Sequence, residues 1–424
     1  MTPRVSDFAS FGLSQVLLNN LYAIGVKEPK PIQALAIPQL LQEQDLLAVA
    51  QTGSGKTFGF CLPLINKILQ KGAKRAPKTA ECIILVPTRE LAVQIEHAVR
   101  TVVRSTHLSV ALVLGGVAKG PQIKKVAPGV DVLIATPGRL MDLMRDKAIT
   151  LQATKYLVLD EADRMLDMGF IQPIKNISAA VHPQCQKALF SATMPDSIKQ
   201  LANNLLKRPV YIAAEPQGTV GKQIKQLFYK VPASHKKTLL HKLLTEQAFA
   251  STIIFTKTKH SADNLEKFLA GKDLAAAVIH GNKSQNARQH ALRSFRKQEV
   301  AILVATDLVA RGIDVPHVSH VINYDLPTEG ENYVHRIGRT GRNEATGTSI
   351  TLYSEAHEYS LLKAIEKATS KKIVDFITVD LPGVDTSASE SKRGPLRPSF
   401  KKPSRDQRSD RARKPYRPKT ARAS

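Results

Sequence analysis

Two tandem α/β domains with parallel sheets, joined by a short linker and followed by a disordered basic tail, are predicted by three features of the chain. Short apolar runs alternate with longer segments of helical period, the pattern of strands buried on both faces between crossover helices. The alternation occurs as two series, divided by the polar, Pro- and Gly-containing stretch Glu215-Pro216-Gln217-Gly218-Thr219-Val220-Gly221. The length of 424 residues is also too great for one ordinary core.

The elements follow in order. The first series places strands at 46–50, 82–86, 130–135, 156–160, 187–191 and 210–213. The second places them at 225–231, 251–256, 275–280, 300–306, 318–323 and 348–353. Strands alternating with helices predict parallel pairing through right-handed crossovers. The boundaries expected are a first domain over 1–214, a linker over 215–221, a second domain over 222–384 and a tail over 385–424. The tail holds Ser, Pro, Lys and Arg with only Phe400 and Tyr416 as aromatics. Such a segment cannot bury enough apolar surface to offset its ordering entropy.

Charge is the bulk property with functional content. Formal net charge is +25 and the pI is near 9.9. Residues 392–424 carry thirteen Lys/Arg against Asp406 and Asp410, which leaves the body basic as well. A polyanionic partner, nucleic acid, is therefore expected. The three cysteines, Cys61, Cys82 and Cys185, show no CxxC spacing, and the histidines form no Cys/His cluster. Buried thiols and no zinc are expected. The start Met1-Thr2-Pro3-Arg4 lacks the apolar stretch of a signal peptide and no run nears a membrane span, so a cytoplasmic protein with no membrane partner is expected.

Two motifs on strand ends carry the chemistry. The apolar run Tyr156-Leu157-Val158-Leu159 ends in Asp160-Glu161-Ala162-Asp163. That sets carboxylates at the C-terminal tip of a buried strand, where open α/β sheets present ligands. Upstream, Leu46 to Ala50 runs into Gln51-Thr52-Gly53-Ser54-Gly55-Lys56-Thr57. Glycines let backbone N–H groups face phosphates, a Lys ammonium meets β and γ oxygens, and a Thr hydroxyl coordinates Mg²⁺. Ala50 stands where the common pattern has Gly. A phosphate cradle and an acidic metal site on one sheet describe a nucleoside triphosphatase.

Further motifs follow in a fixed order: Pro31-Ile32-Gln33, Pro87-Thr88-Arg89-Glu90-Leu91-Ala92, Gly115-Gly116, Thr136-Pro137-Gly138-Arg139 and Ser191-Ala192-Thr193. The second half adds Ile254-Phe255, His280-Gly281 with Gln285 and Arg288, Ala305-Thr306-Asp307, Arg311-Gly312-Ile313-Asp314 and His335-Arg336-Ile337-Gly338-Arg339-Thr340-Gly341-Arg342. With this set, residues 8–355 resemble the DEAD-box ATP-dependent RNA helicases of superfamily 2. The compact core with a short basic tail looks like the bacterial RhlE-like subgroup.

The resemblance implies two RecA-like domains, with ATP and Mg²⁺ as cofactors. It implies that Thr57 and Asp160 hold the metal and that Glu161 is the general base for water attack. Thr52, Gly53, Ser54, Gly55, Lys56 and Thr57 would hold phosphates. Arg339 and Arg342 resemble arginine fingers reaching across from the second domain. Asp163, Ser191 and Thr193 would couple the nucleotide to closure. Gln33 would read adenine, Phe8 would stack on the base and Asp314 would meet the ribose. Val26 and Lys30 depart from the family, which has an aromatic and a hydroxyl residue there. Arg89, Gly116, Thr136, Gly138, Arg139, His280, Gly281, Arg288, Thr306 and Arg311 match strand-binding positions, although some of these arginines could instead brace the domains.

The implied partner is one RNA strand held by its backbone regardless of sequence, because the 2′-OH is what separates RNA from DNA. Ribonucleoprotein partners and a monomer complete the expectation. Two rival readings stand beside it: a DNA-translocating helicase, and an ATP-gated RNA clamp or annealing protein. The first is opposed by the Asp160–Asp163 tetrad and the Phe8/Gln33 pair.

Overall fold

The structure is a computed structural model that describes residues 7–51, 53–72, 75–213, 224–246, 249–307, 318–341 and 346–379. The expected linker at 215–221 and tail at 385–424 lie outside the described residues. Within the described part, two parallel α/β sheets form, as the alternation predicts.

In the first sheet the strands are β1 (Leu46–Val49), β2 (Ala80–Leu85), β3 (Val110–Val113), β4 (Val130–Ala135), β5 (Tyr156–Leu159), β6 (Gln186–Ser191) and β7 (Val210–Ala213). They lie in the order β3-β4-β2-β5-β6-β1-β7, every pair parallel. The second sheet has β8 (Ile224–Lys230), β9 (Thr252–Thr256), β10 (Ala276–Ile279), β11 (Ile302–Thr306), β12 (His320–Asn323) and β13 (Gly347–Tyr353), in the order β10-β11-β9-β12-β13-β8. β3 is a strand that the sequence reading passed over. Its four residues, Val-Ala-Leu-Val, follow the turn after α4, where Ser105 stands at φ 61°, and pair only with β4 at one side of the sheet.

The first domain's helices are α1 (Gln15–Ala23), α2 (Pro31–Leu41), α3 (Lys56–Lys71), α4 (Arg89–Val102), α5 (Lys119–Val126), α6 (Pro137–Arg145), α7 (Ala162–Asp167), α8 (Ile171–Ala180) and α9 (Asp196–Leu205). The second contributes α10 (Lys236–Glu246), α11 (Lys259–Ala270) and α12 (Gln285–Arg296), and then helices Gly330–Ile337 and Glu355–Thr369. Side chains alternate across each strand, so one sheet feeds two cores. Ala48, Ile84 and Val158 pack with α1, α2 and α3 on one face. Leu47, Ile83, Leu85, Leu157 and Leu159 pack on the other.

This topology positions the site. β6 lies between β1 and β5, so the two motif-bearing strands are about two strand spacings apart, roughly 10 Å. Their C-terminal ends, and that of β6 with Ser191, open on the same edge.

Candidate functional site

After β1 the chain turns through Gly53 and Gly55, at φ 86° and 90°. Those angles belong to the left-handed region that favours glycine. A Cβ added at Gly55 would lie 2.6 Å from Gln33 Nε2 and 3.0 Å from Lys30 Cδ. Lys56 then opens α3, so the free N–H groups of that helix face the loop. The buried Lys56 ammonium donates to the Ala50 carbonyl at 2.9 Å, and Ser54 Oγ donates to the Gln51 carbonyl at 2.8 Å. Thr57 sits in the first turn of α3, and Thr52 lies outside the described residues.

At the tip of β5, Asp160 is tied into the sheet by its N–H to the Leu85 carbonyl at 3.0 Å, and its carboxylate accepts the Glu161 N–H at 3.0 Å. Burial, opposed by the Lys56 charge, pushes the Asp160 carboxyl up to about 6. A buried carboxylate at a strand tip suits magnesium, which keeps several waters and takes few protein ligands. Asp160 and Thr57 would hold it. Among the described residues, no group of three His, Cys, Asp or Glu side chains could hold a metal ion.

Glu161 adopts φ 55°, ψ 53°, a left-handed backbone costly for a residue with a Cβ. The turn aims its carboxylate at Arg164, whose Nη1 donates to Oε2 at 3.0 Å, and both side chains are buried. Burial raises the Glu161 carboxyl, but the Arg164, Lys56 and Arg339 charges together outweigh it and hold the group below its usual range. Arg339 belongs to the second sheet's domain, and its field reaches this carboxylate. Its own Nε donates to the His335 carbonyl at 3.3 Å. Arg342, Arg311 and Asp314 lie outside the described residues.

Asp163 collects the loop after β6. One carboxylate oxygen accepts Ala192 N–H, Thr193 N–H and Thr193 Oγ1–H, each at 3.1 Å. Ser191 instead donates to the Thr193 carbonyl at 2.7 Å, so its link to Asp163 runs through Thr193. A cleft of about 790 Å³ follows, lined by Gln51 and Thr193 on one side and by Glu331, Val334 and His335 on the other.

Gln33 is buried at the start of α2. Its amide oxygen accepts the Lys30 N–H at 2.8 Å and its nitrogen donates to the Gly55 carbonyl at 2.9 Å. One amide hydrogen and one lone pair remain for a base. Phe8 is placed differently from the stacking position expected. It is fully buried against the α1–α3 core, with its ring 6.2 Å from that of Phe11, and presents no open face. Burying a phenyl group is favourable by roughly 2–3 kcal/mol, which is why the apolar core claims it.

The expected strand-binding residues divide between surface and seam. Arg89 Nη1 lies 3.4 Å from the Gly116 carbonyl and 3.2 Å from Gln285 Oε1. Gly116 lies at φ 66°, in the left-handed region that favours glycine, and a Cβ there would displace the Arg89 guanidinium, whose Nη2 would be 1.7 Å away. Thr136 Oγ1 accepts the Gly115 N–H at 3.3 Å, and Arg139 donates to the Val117 carbonyl at 3.0 Å. Gly138 and Gly281 have open space where a side chain would be. Thr306 is the C-terminal residue of β11, an inner strand between β10 and β9. The His280 ring is buried, with Nε2 2.9 Å from Asp263 and Nδ1 accepting the Asn282 N–H at 3.3 Å. That leaves Gly281, rather than the imidazole, facing outward. Arg288 turns inward to Glu90, Nη2 to Oε1 at 2.7 Å, and Gln285 adds a 3.3 Å bond to the same oxygen. This arginine braces the seam between the two domains.

Three further residues carry the site without having been singled out. Glu90 and Arg164 pair with site residues but look in the sequence like ordinary helix charges. Arg336 is buried, with a fork onto Asp307 at 2.6 and 2.7 Å, bonds to Asn323 Oδ1 and the Asp325 carbonyl, and its guanidinium 5.0 Å from the Phe255 ring.

Comparison with known proteins places these features in context. Residues 30–201 match the DEAD/DEAH box helicase model and residues 235–344 the helicase conserved C-terminal domain model. The chain is 40% identical over 367 residues to the DEAD-box ATP-dependent RNA helicase RhpA of Helicobacter pylori, covering 87% of this chain and 73% of that protein. It is 37% identical over 395 residues to the ATP-dependent RNA helicase vasa of Drosophila melanogaster, covering 92% of this chain and 60% of vasa. Among solved structures, S. cerevisiae Dbp5 bound to RNA and ADP BeF3 aligns with a TM-score of 0.79 at 31% identity, covering 88% of this chain and 96% of that one. Mss116p bound to ssRNA and AMP-PNP aligns with a TM-score of 0.79 at 27% identity, covering 88% and 79%.

Proposed function

The chain belongs to the DEAD-box family of ATP-dependent RNA helicases, and from that premise we propose that it couples ATP turnover to closure of its two domains on one RNA strand. The observation that carries this reading is the meeting of charges at Glu161: Lys56 and Arg164 from the first domain and Arg339 from the second all act on one carboxylate. Glu161 takes the proton of the attacking water, Lys56 and Arg339 oppose charge on the transferring phosphoryl group, and Thr193 passes the state of the site to Asp163. Magnesium, held by Asp160 and Thr57, would supply charge neutralisation at the β- and γ-phosphates.

Because Arg339 acts only from a closed seam, RNA and ATP favour the same form. Each should raise the affinity of the other by the same factor. RNA-bound relatives of the same fold support a strand path over Arg89, Gly116, Thr136, Gly138 and Arg139, continued by Gly281 and Thr306. Closure then bends the strand and opens short duplexes locally. We place the domain boundaries at 214 and 222, in a monomeric cytoplasmic protein. The RhlE-like subgroup and ribonucleoprotein partners fit its compact core and basic charge.

The test is steady-state ATP hydrolysis with no nucleic acid, with RNA, and with DNA of the same sequence. Stimulation by RNA alone is expected; equal stimulation by DNA, or none by either, would overturn the strand path.

A further inference from the structure

Lys30 is an anomaly at the start of α2. It occupies the N-cap, with φ −69° and ψ 158°, and its side chain makes no capping bond. An ammonium only donates, so it cannot satisfy the free N–H groups of a helix start. Its positive charge also faces the positive end of the helix dipole. The residue therefore works against the helix it begins, and α2 relies instead on the Gln33 side chain accepting the Lys30 N–H at 2.8 Å. Locally unfavourable residues of this kind mark places where another role prevails.

The side chain points to that role. Its ammonium lies 3.5 Å from the Gly53 carbonyl, and its Cδ lies 3.0 Å from where a Cβ of Gly55 would stand. It thus spans the two left-handed glycines of the phosphate loop. Gln33 grips the same loop through the Gly55 carbonyl at 2.9 Å. The loop has its own lysine, Lys56, buried at the start of α3.

We propose that Lys30 is a second cation of the phosphate loop, a positioning residue that braces Gly53–Gly55 and sets affinity for the phosphates of the nucleotide rather than for its base. The inference rests on the ATP-site reading above. A hydroxyl residue at this position would cap α2 but bring no charge to the loop, so helix stability and phosphate affinity are opposed at this one side chain.

The experiment is calorimetric titration of the full chain with ADP and ATP over a series of KCl concentrations, with adenosine measured by competition, for wild type, Lys30→Thr and Lys30→Arg. A unit charge near a phosphate at the protein surface changes affinity by about three- to tenfold. Lys30→Thr should raise the Kd for ADP and ATP by that factor, flatten the salt dependence, leave adenosine unchanged and raise the Tm. Lys30→Arg should keep the wild-type Kd. Unchanged ADP affinity in Lys30→Thr, or a loss that falls equally on adenosine, would overturn the proposal. A wild type that bound neither ADP nor ATP would overturn the ATP-site reading as well, which separates the two failures.

Discussion

Glu161 and Asp160 are neighbours with opposite electrostatics. Both are buried, yet cations hold the Glu161 carboxyl down while desolvation pushes that of Asp160 up to about 6. The first is therefore ionised at neutral pH, as the base proposed for water attack must be. Glu161→Gln keeps an acceptor for Arg164 but cannot take a proton. ATP binding should survive while turnover falls by about 10²–10⁴-fold, measured by hydrolysis and by nucleotide titration. Asp160 makes a separate claim. With its folded value above the ordinary 3.8, its contribution to stability is fully present below that value and is lost as pH rises through about 6. Relative to Asp160→Asn, the nucleotide-free wild type should lose on the order of 2–3 kcal/mol between pH 4 and 7, seen by denaturant titration across that range. Magnesium affinity should rise over the same window. The placement of these two residues was legible in the sequence, because the end of an apolar run fixes where they emerge. Phe8 was not. A buried and a base-stacking aromatic have the same local sequence, and only the α1–α3 packing distinguishes them.

Elements matter through the few contacts that seat them. The helix Gly330–Ile337 carries Arg339 just past its end, and Arg336 fastens it to Asp307, Asn323 and the Asp325 carbonyl. A lysine cannot reproduce the planar fork. Arg336→Lys should destabilise the second domain by about 1–3 kcal/mol, measured by urea denaturation, since one ammonium keeps the charge but leaves some of the buried acceptors unsatisfied. ATPase should fall with it, as Arg339 loses its platform. All but one strand could be read from the sequence, since burial on both faces leaves an apolar run. β3 could not, because its identity depends on a hydrogen-bonded partner and not on its own four residues.

At the scale of the molecule, the seam between the domains rests on Glu90 and Arg288, with Gln285 and Arg89 beside them. Removing the Glu90 charge leaves the Arg288 guanidinium poorly paired in the seam. Glu90→Gln should therefore lower RNA-stimulated hydrolysis by about tenfold, roughly 1.4 kcal/mol of closure energy, with nucleotide affinity in the absence of RNA unchanged. Turnover at saturating RNA against ADP titration without RNA checks it.

The sequence by itself determined the two parallel sheets, the phosphate loop and the acidic strand tip, because apolar runs and the glycine and charge chemistry at their ends are local facts. The tertiary structure decided which arginine faces which carboxylate. Arg288 meets Glu90 and the Arg339 field reaches Glu161 only after both sheets have folded and met, since charges far apart in the chain acquire partners only when packing brings them within a few ångströms and removes the water between them.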